Sequence, residues 1–124
     1  QLFEKLEQLL KQSDVISIHA PLNEQTRHII NEESIEMMKN GVFIINTSRG
    51  GLIDENAMYQ GLKSGKIGGA GLDVLDFKDE NDYYMSNLMD LDNVFITPHT
   101  SWYSEEAIYD LQVKAGNIVY RELL

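Results

Sequence analysis

The sequence predicts an α/β fold in which a parallel sheet is covered by helices on both faces, which gives three layers. Two observations lead to this prediction. Short apolar runs alternate with helical patterns along the chain, and each run is continuously apolar instead of alternating with polar residues. The chain has 124 residues, of which 43% are hydrophobic and 24% charged, enough for one domain with a buried core.

Composition excludes several classes of partner. The net charge is −10 and no cluster of Lys or Arg is present, so we expect neither nucleic acid nor an anionic membrane as partner. There is no apolar run near the ~20 residues that span a bilayer, and no signal-peptide pattern. Cysteine is absent, which excludes disulfides and thiolate metal sites and fits a cytoplasmic protein.

The first part of the chain predicts two helices and two strands. Leucines at helical spacing indicate a helix over about the first eleven residues. Val15–Ile18 is a short β-branched run that predicts a strand. Asn31 is a good N-cap for a short helix, which we expect to end at Gly41. Residues 42–45 then predict a buried strand.

The second part continues the alternation. Asp54 is expected to cap a helix that ends at Gly65, and residues 67–74 predict a glycine-rich strand. Val94–Ile96 predicts a fourth strand, and Ser104 is expected to cap a long final helix. The apolar stripe predicted for that helix consists of Ile108, Leu111, Ala115, Ile118 and Leu123.

Two stretches of the sequence resemble ligand sites but lack the residue pattern that such sites need. The long acidic loop over residues 76–92 has neither the ligand spacing nor the glycine of an EF-hand, so we expect no metal there. The glycines at 65, 68, 69 and 71 precede and enter a strand. A phosphate-binding loop needs glycines between a strand and a helix, so these favour close backbone packing.

Chemically useful side chains follow the predicted strands. Residues 19–21 follow the first strand, residues 47–49 the second and His99 the fourth, while Asp73 lies near the end of the third. The carboxyl ends of parallel strands meet at one edge, where ligands bind. An arginine that holds an anion, a histidine that moves a proton and a nearby acid together predict a site for an oxyacid.

Three motifs occur in order along the chain. The first comprises His19, Pro21, Leu22 and Thr26; the second residues 38–41 and 45–54; the third residues 71–74, 93–94 and 97–99. In these motifs the chain resembles the NAD-binding domain of the D-isomer-specific 2-hydroxyacid dehydrogenases, over essentially its whole length. The resemblance implies a partial Rossmann-like NAD-binding domain.

The resemblance also implies an activity and roles for residues. The activity is the NAD-dependent interconversion of a D-2-hydroxy acid and its 2-oxo acid, in a full-length protein that forms a homodimer. Arg49 would bind the substrate carboxylate and the 2-oxo oxygen, and His99 would be the general acid in reduction and the base in oxidation. The residues implied to contact the cofactor are Ala20, Pro21, Thr26, Thr47, Ser48 and, at the nicotinamide end, Asp73.

The chain departs from the family pattern in two respects. The Gly-rich phosphate loop and the substrate domain of the family lie outside this sequence, so residues 1–124 are expected to be the C-terminal portion of an NAD-binding lobe and inactive alone. The second departure is Lys78, where the family has a glutamate that supports the catalytic histidine; a lysine cannot accept the imidazole N–H. Asp76, Asp79 and Glu80 remain as alternatives to that glutamate.

These departures leave a second interpretation, a non-catalytic relative that binds NAD as a sensor or scaffold. Lys78 favours it, whereas Arg49 and His99 together favour the enzyme. Trp102 and Tyr103 also have two interpretations. They contact the substrate or cofactor, or they pack against the start of the last helix.

Overall fold

A computed structural model of the chain describes residues 5–76 and 87–123. Its helices are α1 (Leu6–Gln12), α2 (Glu32–Met37), α3 (Glu55–Ser64) and α4 (Glu105–Leu123), and its strands are β1 (Val15–Ile18), β2 (Val42–Asn46), β3 (Ile67–Leu72) and β4 (Val94–Ile96). Short 3-10 turns occupy Gly50–Leu52 and Asn87–Asp90. Within the described ranges, no helix is both long and apolar enough to cross a bilayer.

The four strands form one sheet in the order β1-β2-β3-β4, and each neighbouring pair is parallel. Ile18 is paired with Asn46, Asn46 with Leu72, and Leu72 with Ile96, so the last residues of the four strands form a row. The predicted parallel sheet is therefore confirmed. All four strands end at the same edge of the sheet.

The described helices α1, α2 and α3 cover one face of the sheet. Side chains alternate between the two faces of a strand, and Ile44 and Leu72 point to the face that joins the helices in a single core. The opposite face includes Val15, Phe43 and Phe95, which are 59%, 51% and 72% exposed. The described residues thus contribute one helical layer against the sheet.

Four of the predicted helix caps, Asn31, Asp54, Gly65 and Ser104, are confirmed. Asn31 Oδ1 accepts the N–H of Ser34, and Ser34 Oγ accepts the N–H of Asn31, which completes a capping box for α2. Asp54 Oδ1 accepts two N–H groups in the first turn of α3. Gly65 ends α3 with φ +77°, and Ser104 Oγ accepts an N–H from the first turn of α4.

Two expectations about element boundaries were wrong. α2 ends at Met37, and Gly41, with φ +76°, instead forms the turn into β2, where its N–H donates to the carbonyl of Lys66. β3 ends at Leu72, two residues earlier than expected. The apolar stripe of α4 is not buried among the described residues, since Leu111 and Ile118 are 63% and 56% exposed.

Candidate active site

The carboxyl edge of the sheet brings Arg49, Asp73 and His99 to three adjacent strands. Asp73 directly follows β3, while Arg49 and His99 each lie three residues beyond the end of β2 and β4. β2 and β4 flank β3 and are separated by two strand spacings, roughly 10 Å. The arginine and the histidine therefore follow strands whose separation suits a small ligand between them.

The turn that bears Arg49 is fixed by a buried asparagine. Asn46 has no exposed surface, its Oδ1 accepts the N–H of Ser48 at 3.0 Å, and its Nδ2 donates to the carbonyl of Arg49 at 3.0 Å. Ser48 Oγ donates to the carbonyl of Ile18 at 2.7 Å, which ties the turn to β1. The guanidinium is exposed, and its Nη1 donates to the carbonyl of Ser48 at 2.7 Å.

Asn46 lies within the second motif, but the sequence predicts no role for it in the site. It is a polar residue at the end of an otherwise apolar strand, where the sequence also predicts the start of a turn. The available signal was its type, because asparagine is depleted in strands and a buried amide must find partners. The structure shows that both ends of this amide bond the backbone of residues 48–49.

The two glycines after Arg49 are closely packed, and Gly50 leaves no room for a Cβ. A Cβ on Gly50 would lie 2.0 Å from the carbonyl carbon of Leu75 and 2.4 Å from the amide nitrogen of Asp76. A Cβ on Gly51 would lie 3.1 Å from Arg27 Nη1. The arginine turn is thus enclosed between the segment after β1 and the end of β3, and Arg27 bonds Asp76 across it at 3.0 Å.

Asp73 holds the segment that contains His99. Its side chain is 3% exposed and accepts the Thr97 hydroxyl, the N–H of Thr100 at 2.8 Å and the N–H of Ser101 at 2.9 Å. Burial raises the pKa of this carboxyl, but the hydrogen bonds from residues 97, 101 and 100 outweigh burial and hold the pKa below its ordinary value. Its own N–H donates to the carbonyl of Asn46 at 2.9 Å, which joins the two turns.

His99 is exposed and has a left-handed backbone, with φ +55°. Its N–H donates to the carbonyl of Thr97 at 2.9 Å, and its carbonyl accepts the indole N–H of Trp102 at 2.9 Å. Histidine is among the residues that adopt this conformation more readily than most non-glycine residues, but the conformation still needs support from its surroundings. The imidazole is therefore accessible while its backbone is restrained.

Most of the residues implied to contact a cofactor line one cavity of about 740 Å³ beside Arg49. Its lining consists of His19, Ala20, Pro21, Leu22, Thr47, Ser48 and Arg49. Thr26 has a different place. Its hydroxyl donates to the carbonyl of Pro21 at 2.6 Å, so it closes the turn that presents Pro21.

Of the three alternatives to the family glutamate, only Asp76 lies within the described residues. Asp76 bonds Arg27 and lies 3.6 Å from His28 Nε2, so this acid is engaged on the side of the β1 segment. Lys78, Asp79 and Glu80 lie outside the described residues, as does most of the acidic loop.

Comparison with known proteins identifies the family. The model of the D-isomer specific 2-hydroxyacid dehydrogenase, NAD binding domain, matches residues 1–101. The chain belongs to this family. It is 48% identical to a hydroxypyruvate reductase of Thermotoga maritima over 118 residues, which are 95% of this chain and 39% of that protein. It is 42% identical to a D-specific alpha-keto acid dehydrogenase of Enterococcus faecalis over 123 residues, with 90% and 38% covered.

Solved structures of the dehydrogenase family have the same fold. A D-lactate dehydrogenase of Aquifex aeolicus, complexed with NAD and lactic acid, is 35% identical with a TM-score of 0.84, over 98% of this chain and 40% of that one. A D-2-hydroxyisocaproate dehydrogenase is 40% identical with a TM-score of 0.80, over 87% and 36%. The predicted Rossmann-like α/β class is confirmed. The chain spans about two fifths of the length of these dehydrogenases.

Proposed function

We propose that the chain is part of an NAD-dependent dehydrogenase that interconverts a D-2-hydroxy acid and its 2-oxo acid. The main supporting observation is the placement of Arg49 and His99. They follow strands two spacings apart at one edge of the sheet, on turns fixed by the buried side chains of Asn46 and Asp73. A cavity lies beside the arginine.

Arg49 is proposed to bind the substrate. Its guanidinium is exposed next to the cavity, and a planar fork of N–H donors matches the carboxylate and 2-oxo oxygens of a small acid. The turn that holds it is restrained by Asn46 and by the close packing of Gly50, so little freedom is lost when the acid binds.

His99 is proposed to move the proton. In reduction, C2 of the 2-oxo acid accepts a hydride and the imidazolium donates a proton to the 2-oxo oxygen, which yields the hydroxy acid and a neutral imidazole. In oxidation, the neutral imidazole takes the hydroxyl proton while the hydride leaves C2. When bound, NADH would supply the hydride for reduction and NAD+ would accept it in oxidation.

The cofactor is proposed to lie along the cavity beside Arg49. Ala20, Pro21, Thr47 and Ser48 line it, and the small side chains of three of them allow a ligand to approach the backbone closely. Thr26 would act by closing the turn of Pro21, and Asp73 would lie at the nicotinamide end, below His99.

The proposal extends to the whole protein. We propose that residues 1–124 are the C-terminal portion of an NAD-binding lobe, inactive alone, and that the phosphate loop and substrate domain are supplied by the rest of a longer polypeptide. The coverage of about two fifths of the relatives supports this division. We also propose a cytoplasmic homodimer; the lack of cysteine supports the location, and exposed apolar residues on α4 offer a contact surface.

The test is NADH oxidation by the full-length protein with a panel of 2-oxo acids. Removal of the charged hydrogen bonds in Arg49→Ala, or of the proton donor in His99→Ala, is expected to lower kcat/KM by at least about 100-fold while NADH still binds. Arg121→Ala, which removes an exposed arginine of α4, is the matched control and should leave turnover unchanged.

Two outcomes would contradict the proposal. Normal turnover in both Arg49→Ala and His99→Ala would place the chemistry elsewhere. A full-length protein that binds NADH and reduces no 2-oxo acid would favour the sensor or scaffold, which Lys78 supports from the sequence. Lys78→Glu is then the variant to examine for restored turnover.

A further inference from the structure

The backbone of His99 has an uncommon conformation that its neighbours maintain. With φ +55°, it lies in the left-handed region, where a non-glycine residue persists only if its surroundings stabilise it. Asp73 supplies part of that support, because its carboxylate accepts the N–H groups of Thr100 and Ser101 after the histidine. None of these bonds involves the carbonyl of His99 itself.

That carbonyl accepts the indole N–H of Trp102 at 2.9 Å. Trp102 is the single tryptophan in the sequence, and its N–H can only donate. We propose that Trp102 is a positioning residue, whose indole N–H fixes the carbonyl of His99 and thereby holds the imidazole in place for proton transfer. The inference rests on the proposed role of His99.

The surroundings of the indole favour this role over simple packing. Trp102 is 57% exposed and Tyr103 is 65% exposed, so neither ring is buried at the start of α4. Their rings meet edge to face, with centroids 5.3 Å apart and planes at 72°. The N–H of Tyr103 also donates to the carbonyl of Thr100 at 2.9 Å. The indole is thus oriented by its neighbour and by its own bond to the backbone of His99.

Trp102→Phe tests the proposal in the full-length protein because it removes the indole N–H and keeps an aromatic ring. We expect kcat to fall about fivefold, the factor that corresponds to one lost hydrogen bond, with an unchanged KM for NADH. The factor should be the same for 2-oxo acids of different size. Ser104→Ala is the matched control: it removes the cap of the same helix end without touching His99, and its kcat should stay unchanged.

A readout independent of activity follows the hydrogen bond itself. The indole N–H signal of Trp102 is identified in the NMR spectrum by its disappearance in Trp102→Phe. In the unchanged protein this N–H should exchange slowly with solvent, despite the exposure of the ring. The amide signal of Thr100, which follows the affected carbonyl, should shift in Trp102→Phe and stay in place in Ser104→Ala.

Two results would overturn the positioning role of Trp102. The inference is overturned if Trp102→Phe leaves both kcat and the Thr100 amide unchanged. It is also overturned if the effect is confined to KM and varies with the size of the 2-oxo acid, as expected of a ring that only lines the substrate. Turnover that survives His99→Ala would instead refute the proposed function, so the two failures are distinguishable.

Discussion

Gly50→Ala should be the most damaging single-atom change near the arginine turn. The added Cβ would lie 2.0 Å and 2.1 Å from the carbonyl carbon and oxygen of Leu75, and 2.4 Å from the nitrogen of Asp76. These are backbone atoms, so no side-chain rotation relieves the overlap, which exceeds 1 Å. Movement of this segment also disturbs the Asp76 N–H bond to Glu55 Oε1 at 2.7 Å. Overpacking and one weakened hydrogen bond together cost about 3 kcal/mol.

The assay is urea unfolding of Gly50→Ala, with the midpoint and slope compared to those of the unchanged protein. Gly116→Ala is the control, because a Cβ there meets nothing within 4 Å and Gly116 lies inside α4. This control should stabilise the protein by about 0.5–1 kcal/mol. A free energy of unfolding of Gly50→Ala within about 0.5 kcal/mol of that of the unchanged protein is typical of neutral surface changes. That result would show that Gly50 is not tightly packed against the backbone of Leu75 and Asp76.

Two further predictions concern the buried side chains of the site. Asn46→Ala leaves the N–H of Ser48 and the carbonyl of Arg49 without their partner, and should cost about 1–3 kcal/mol in urea unfolding and lower kcat/KM; an unchanged unfolding midpoint would contradict this. Asp73, whose pKa is lowered by folding, stabilises the protein above the unfolded pKa of about 4, and this contribution is lost as the pH falls through the lower folded value. The stability advantage over Asp73→Asn should therefore be full at neutral pH and shrink in acid; a pH-independent difference would refute the assignment.

Sequence patterns located the elements whose ends are determined locally. The caps at Asn31, Asp54 and Ser104 depend on a side chain and an amide two or three residues away, so residue type and spacing suffice to find them. Gly65 is similar, because its left-handed conformation directly follows the last turn of α3. The same reasoning placed Arg49 and His99 at one edge, since a parallel sheet brings all its strand ends together.

Features that depend on distant contacts were not predictable in this way. Gly41 has the left-handed conformation of a helix C-cap but serves the turn into β2, where its partner is Lys66. Asn46 fixes the position of Arg49 only because β2 ends where the asparagine amide reaches the carbonyl of Arg49. The stripe on α4 has the correct period, but periodicity does not reveal whether the surface that covers it belongs to the same segment of chain.

The hydrogen bond from the Asp73 N–H to the carbonyl of Asn46 has a consequence for how such a site evolves and is redesigned. The two turns follow β2 and β4, two strand spacings apart, and are joined through Asp73 at the end of β3. The separation of the acid-binding and proton-moving groups is therefore set by the repeat of the sheet and little by the loops around it. Loop residues are then free to change length and composition while the reactive groups keep their spacing. Altered substrate preference is accordingly best sought in those loops, with the strand-end polar residues left untouched.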